Sequence, residues 1–218
     1  MLELKNEKIA IPVVLFAGII WSFGPLVVRY IDQPELVPWQ YLLGRGVTIF
    51  LLLNLYLFFE EGIDFYKNYK RIGWSGLIGG TGLGIAMISF IWSITNTSAA
   101  VTLLCLAAMP FMTAFLGFLF LDEKISFNVW VAIILASIGI IIIAIGNFSA
   151  GTLFGLLFGL ASALGFSVFS VSLRWRKETP KFTTVAIAGL ICAIVSMVIL
   201  VETDNNLLSS SRNQGLFS

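Results

Sequence analysis

The chain has 218 residues, of which 58% are hydrophobic and only 11% charged, with a net charge of +1 and a mean hydropathy of +0.97. Soluble domains carry roughly a quarter charged residues, so this composition predicts an all-α polytopic membrane protein. It also argues against a nucleic-acid-binding domain, whose basic residues would gather into one patch.

Seven apolar runs of about 20 residues follow one another, each long enough to cross a bilayer as a helix. The first, residues 9 to 30, comes after Lys5 and Lys8 and is too long for the core of a cleaved signal peptide. The others cover residues 37 to 59, 73 to 93, 97 to 121, 126 to 146, 151 to 173 and 182 to 201, and a polar tail fills 202 to 218. Most connections are short, so sequential neighbours are expected to pack antiparallel. The longest is EEGIDFYKNYKR between the second and third spans.

Orientation follows from the basic residues. With the N-terminus in the cytoplasm, Lys5, Lys8, Lys67, Lys70, Arg71, Lys124, Arg174, Arg176, Lys177 and Lys181 all lie inside, while only Arg29 and Arg212 lie outside. The remaining basic residue is Arg45, in the run YLLGRGVTIFLLL. As the ninth residue of its span it sits roughly 12 Å below the outer surface and about 5 Å from the midplane at 1.5 Å per residue. A guanidinium at that depth costs roughly 2.5–3.5 kcal/mol on insertion scales. A protein partner, a wet cavity or a bound anion has to offset it; a structural role, capping carbonyls freed near Pro25 or Pro110, is the competing reading.

Polar and aromatic side chains recur at similar depth on several spans. Tyr41 and Thr48 share a face with Arg45. Trp21, Ser22 and Pro25 share one on the first span, Ser89, Trp92 and Asn96 on the third, and Thr102, Met109 and Thr113 on the fourth. Such faces can converge on a ring-lined pocket with few polar groups. Arg45, Trp21, Ser22, Tyr41, Trp92 and Asn96 are the candidate substrate-binding residues. Pro25 and Pro110 each remove a backbone hydrogen bond within a span and predict kinks. Small residues recur as Gly76, Gly80 and Gly84, and as Gly151, Gly155, Gly159, Ala163 and Ser167, a pattern that lets helix backbones approach closely.

No chemistry beyond binding is visible. All 12 acidic residues lie in loops or at span ends, and there is no histidine. A proton relay, a catalytic acid or base and a metal site therefore have no residues to build them, so neither an enzyme nor a cofactor is expected. Cys105 and Cys192 lie in apolar runs and read as packing residues. Glu123 reads as a solvated charge at a helix end.

WSFGPLVVRY (21 to 30) aligns without gaps on FSVFSVSLRW (166 to 175). Five spans separate the two, so a repeated unit of that size is inverted in the membrane. The loop after the first span carries one basic residue and its counterpart after the sixth carries four, which is the asymmetry that inversion requires.

Residues 93 to 146, SITNTSAAVTLLCLAAMPFMTAFLGFLFLDEKISFNVWVAIILASIGIIIIAIG, resemble the drug/metabolite transporter superfamily, specifically its EamA-type members. The shared features are a short hairpin, an Ala-rich helix with a mid-span Pro, an l-x-E-k/r close and a Gly-bearing fifth helix. GIIWSFGPLVVRY and the arginine of YLLGRG resemble the family's first two helices. The resemblance implies ten helices in two inverted five-helix units around a central cavity. Residues 1 to 146 would then be one complete unit and 151 to 201 the first two helices of a second, as expected of a fragment or of a truncated form that needs a partner.

On this reading the protein is a secondary transporter or exporter of small organic metabolites, anionic or amino-acid-like, working by alternating access. The resemblance places it in the plasma membrane, as a bacterial inner-membrane protein with the lipid bilayer as its surroundings. Homo-oligomers stay open. The competing expectations are a seven-span sensor or receptor-like binding protein and an inactive fragment of a ten-helix transporter.

Overall fold

The computed structural model describes residues 37–146 and 150–214, together with positions 12, 15, 16, 18 and 19. Among the described residues every regular element is helical. In chain order these are α1 (Val37–Glu61), a 3-10 turn (Gly62–Phe65), α2 (Tyr66–Arg71), α3 (Gly73–Asn96), α4 (Ala99–Ala107), α5 (Met109–Leu121), α6 (Phe127–Gly146), α7 (Ala150–Trp175) and α8 (Lys181–Gln214). Among the described residues five stretches are long and apolar enough to cross a membrane: Pro38–Arg71, Gly73–Asn96, Ala99–Leu121, Leu153–Trp175 and Lys181–Thr203. The apolar α6 runs beside them. Of the expected first span only positions 12, 15, 16, 18 and 19 are described, and Trp21, Ser22 and Pro25 lie outside the described residues.

Local chemistry explains the breaks. Gly73 starts α3 at φ +57°, a conformation that L side chains rarely adopt. Ser98 caps α4, its hydroxyl accepting the Val101 N–H at 3.2 Å. The fourth span divides where Pro110 cannot donate. Ala108 N–H turns to Cys105 O at 3.1 Å, and the Ala108 carbonyl then receives Met112 N–H at 3.0 Å to start α5. Asp122 closes α5 at φ 54°, and both its N–H and that of Glu123 donate to Gly117 O. At the other end of the chain, the polar segment after residue 201 is no separate tail up to Gln214, because α8 continues through it.

The helix packing centres on α3. It runs antiparallel to α7, as its contacts from Gly79 with Ser172 to Ser93 with Gly155 show, and parallel to α8. Gly76, Gly80 and Gly84 seat α3 on Thr184, Ile187 and Ile191 of α8, while Gly82 and Gly165 meet where α3 crosses α7. Gly155 and Gly159 of α7 pack on Thr97 and Cys105. Both small-residue stripes are thus used within the chain. In lipid there is little hydrophobic drive between helices, so close packing and interhelical hydrogen bonds must hold them together. Buried hydroxyls supply the bonds. Ser93 Oγ donates to Gly155 O at 2.7 Å and lies 2.8 Å from Thr102 Oγ1, joining α3, α4 and α7. Ser162 donates to Ala86 O at 2.9 Å and Ser167 to Met109 O at 3.1 Å.

α1 lies antiparallel against α8. Leu42, Gly46 and Ile49 face Cys192, Ala193 and Gly189, and Tyr56 meets Phe182 edge-to-face at 5.3 Å. The buried core of Trp39, Leu42, Leu83, Met87, Phe90, Ile91, Ile94, Ala188 and Cys192 joins α1, α3 and α8. α6 is held to α5 through Trp130, which meets Phe115 and Phe118 edge-to-face. Its Ile134, Leu135, Ile138, Ile141 and Ile142 are exposed.

Candidate substrate site

The tightest contact between α1 and α8 is at Gly46. A Cβ there would stand 2.6 Å from Gly189 O and 2.8 Å from Ala193 N, and a Cβ on Gly189 would stand 2.9 Å from Gly46 O. Each glycine receives the other's backbone. Arg45 is the next residue and is half-buried. The Cys192 thiol donates weakly to Leu42 O at 3.6 Å. One turn further along α8, the Ser196 hydroxyl is buried. No carboxylate pairs with Arg45 among the described residues.

Towards the start of α1 the surroundings become aromatic. Tyr41 and Trp92 are half-buried against the core. Trp92 meets Trp39 edge-to-face at 5.6 Å and stacks on Phe158 of α7 at the same centroid distance, and Phe158 contacts Phe154 at 5.4 Å. Quadrupole-ordered contacts of this kind hold rings in fixed relative orientation. They form a wall across α1, α3 and α7. Asn96 stands one turn beyond Trp92, but its amide is used locally, donating to Trp92 O at 2.8 Å and to Thr95 Oγ1 at 3.3 Å.

Tyr41 and Trp92 thus both pack against the core shared by α1, α3 and α8, and Arg45 stands on α1 next to Gly46. Asn96 lies on the same helix with its donors directed to its own terminal turn. Trp21 and Ser22 fall outside the described residues. The polar face expected on the fourth span is turned to helix contacts, with Thr102 bonded to Ser93 and the Met109 and Thr113 carbonyls accepting from Ser167 and Arg174. Trp39, Phe158 and Ser196 were not among the sequence candidates. Trp39 was legible, since Trp39, Leu42, Gly46 and Ile49 share one helical stripe. Phe158 and Ser196 were not, because nothing local reveals which helix faces which.

Glu123 is not a free helix-end charge. Both its oxygens accept from Arg174 Nη1, at 2.8 and 3.1 Å, and Arg174 Nη2 reaches Thr113 O at 3.3 Å. Gly117 makes the room, since a Cβ there would collide with the Glu123 carboxylate. Among the described residues no three His, Cys, Asp or Glu side chains are grouped to share a metal ion.

A family model described as the EamA-like transporter family matches residues 8–145. The chain belongs to the EamA-like transporter family. This EamA-family chain is also similar to an "Uncharacterized transporter" of Helicobacter pylori (strain J99), at 24% identity over 164 residues that cover 74% of this chain and 52% of that relative. The chain thus spans about half the length of the curated relative it matches. No solved structure matches it. Family membership and the apolar helices together make it an integral membrane protein.

Proposed function

We propose that the protein is a secondary transporter of small anionic or amino-acid-like metabolites, working by alternating access in the plasma membrane with its N-terminus in the cytoplasm. The observation that carries this reading is Arg45. It is a half-buried guanidinium in an apolar span, with no acid paired to it among the described residues. A carboxylate entering the α1–α8 seam beside Gly46 would supply the missing charge, and the ring wall of Trp39, Trp92 and Phe158 would flank it.

The inverted two-unit arrangement is supported by the reciprocal crossing of Gly46 and Gly189. The offset that lays residues 21 to 30 on 166 to 175 makes α1 and α8 equivalent helices of the two units, and an antiparallel pair of equivalent helices is what a two-fold axis in the membrane plane generates. The orientation is supported by the basic loops. Arg176 Nη1 lies beside Gly73, and Ser75 Oγ is 2.6 Å from Thr179 Oγ1, so the α2–α3 and α7–α8 connections share one end of the bundle.

The test is flux in proteoliposomes with a radiolabelled panel of small carboxylates, amino acids and organic cations. Downhill uptake of anionic or zwitterionic solutes is expected in the wild type. It should be lost in Arg45→Ala and partly kept in Arg45→Lys, at unchanged reconstitution. Equal flux in Arg45→Ala makes the arginine structural and rejects the reading.

A further inference from the structure

Two adjoining cavities run along the side of the bundle between α5 and α7, away from the Arg45 seam. One, of about 440 Å³, is lined by Ile78 of α3, Leu116 and Phe120 of α5, and Val168, Val171 and Trp175 of α7. The other, of about 280 Å³, continues from Leu116 to Leu160 and Leu164. Together they make one apolar groove reaching from Trp175 down to Leu160. That is about 22 Å along α7 at 1.5 Å per residue, more than the roughly 15 Å depth of one hydrocarbon leaflet. The groove opens sideways, since Phe115, Phe120, Leu164 and Trp175 on its margin are exposed.

Its Trp175 end is positively charged. Arg176 and Lys177 follow Trp175 directly, and Arg71 stands two residues before Gly73, beside which the Arg176 guanidinium lies. The turn that carries these residues is tied down. Arg176 O accepts the Thr179 N–H at 3.0 Å, and the Thr179 hydroxyl is bonded to Ser75 in a buried contact. Glu123 is already engaged by Arg174. Among the described residues Arg71, Arg176 and Lys177 have no ion-pair partner, and the other acidic side chains at this end, Glu60, Glu61, Asp64, Asp122 and Glu178, are exposed, with Asp64 paired to Lys67.

We propose that this groove is a binding site for an anionic phospholipid of the bilayer, with an acyl chain lying between α5 and α7 and the phosphate held by Arg176 and Lys177. An acyl chain matches an apolar channel of leaflet length. The cations at its mouth match a negative headgroup and discriminate against a zwitterionic one. Trp175 sits at the boundary, where amphipathic rings are favoured. The site is independent of what the Arg45 seam binds.

The experiment is fluorescence quenching in phosphatidylcholine vesicles that hold equal fractions of either brominated phosphatidylglycerol or brominated phosphatidylcholine. The Trp175 signal is taken as the difference between wild type and Trp175→Phe. Phosphatidylglycerol should quench it preferentially, by about fivefold in relative affinity for each cation engaged, and the preference should shrink as salt is raised. Arg176→Gln/Lys177→Gln should quench equally with both lipids. Should that variant fail to fold, the salt dependence in wild type decides alone. Equal quenching by the two lipids in wild type shows ordinary annular lipid and overturns the proposal. So does a preference that survives in the double variant or is insensitive to salt. Absence of quenching by either lipid shows that protein fills the groove, which also overturns it.

Discussion

Two arginines in apolar helices of this protein meet opposite fates. Arg174, at the end of α7, is held by both oxygens of Glu123 and by the Thr113 carbonyl, and Gly117 clears space for the pair. Arg45, deep in α1, is half-buried and has no acid paired to it among the described residues. The first arrangement is complete and joins two helices. The second has no ion pair among the described residues, although the α1–α8 packing next to it is among the closest in the bundle. Under the proposed function, that cation is where a substrate carboxylate binds.

The comparison can be broken most severely at Arg45 itself. Replacing a charged hydrogen-bond donor that contacts an anion removes about 1.5–3 kcal/mol, so Arg45→Ala should cut substrate affinity by about ten- to more than a hundredfold. Its thermal stability in detergent should be equal to wild type or higher, since a costly intramembrane charge is gone. A marked loss of stability would instead make Arg45 a structural cap.

Gly46→Leu attacks the frame. The added side chain meets backbone atoms of Gly189 and Ala193, which cannot rotate aside. Overpacking of this kind costs typically about 1–3 kcal/mol, read as a lower unfolding temperature and as loss of the α1–α8 contact in a cysteine cross-linking assay. Wild-type stability would mean that the two helices do not cross there.

A smaller effect belongs to Ser93→Ala, which removes the hydroxyl joining α3, α4 and α7. Interhelical hydrogen bonds in membranes average about 0.6 kcal/mol and reach about 1.7. Denaturant titration of the variant should fall in that range, with substrate affinity unchanged.

The smallest effect sharpens the contrast from the other arginine. Glu123 and Arg174 are both substantially exposed, so their coupling in a double-mutant cycle of Glu123→Gln and Arg174→Gln should lie within about 0.2–1 kcal/mol. A coupling several times larger would show that the pair is shielded from water.

How legible all this was in the sequence depends on the range of the interaction. Helix limits depend on nearby residues and were read closely, as for Val37–Glu61 against the expected 37 to 59 and Gly73–Asn96 against 73 to 93. The break before Pro110 was expected from its missing N–H. The continuation of α8 to Gln214 was not, because polar composition marks where a helix leaves the apolar pattern and not where it unwinds. Small-residue stripes announced close packing, yet any such stripe fits any other. That Gly82 meets Gly165, or that Glu123 meets Arg174, depends on the arrangement of the whole bundle.

At the candidate site, Arg45, Tyr41 and Trp92 stand out in the sequence because an isolated charge or ring in an apolar run is conspicuous. Asn96 was read as a ligand contact, and its amide turned out to bond to its own helix, a local alternative open to any amide near a helix end.

The most direct test of the central claim is a thermal-unfolding titration of the purified protein with small carboxylates and amino acids, using organic cations as controls. At a ligand concentration of about 100 Kd, an anionic ligand of the Arg45 seam should stabilise the wild type by about 2.7 kcal/mol and leave Arg45→Ala unmoved. Equal stabilisation of both proteins, or stabilisation of the wild type by cations alone, would contradict the account.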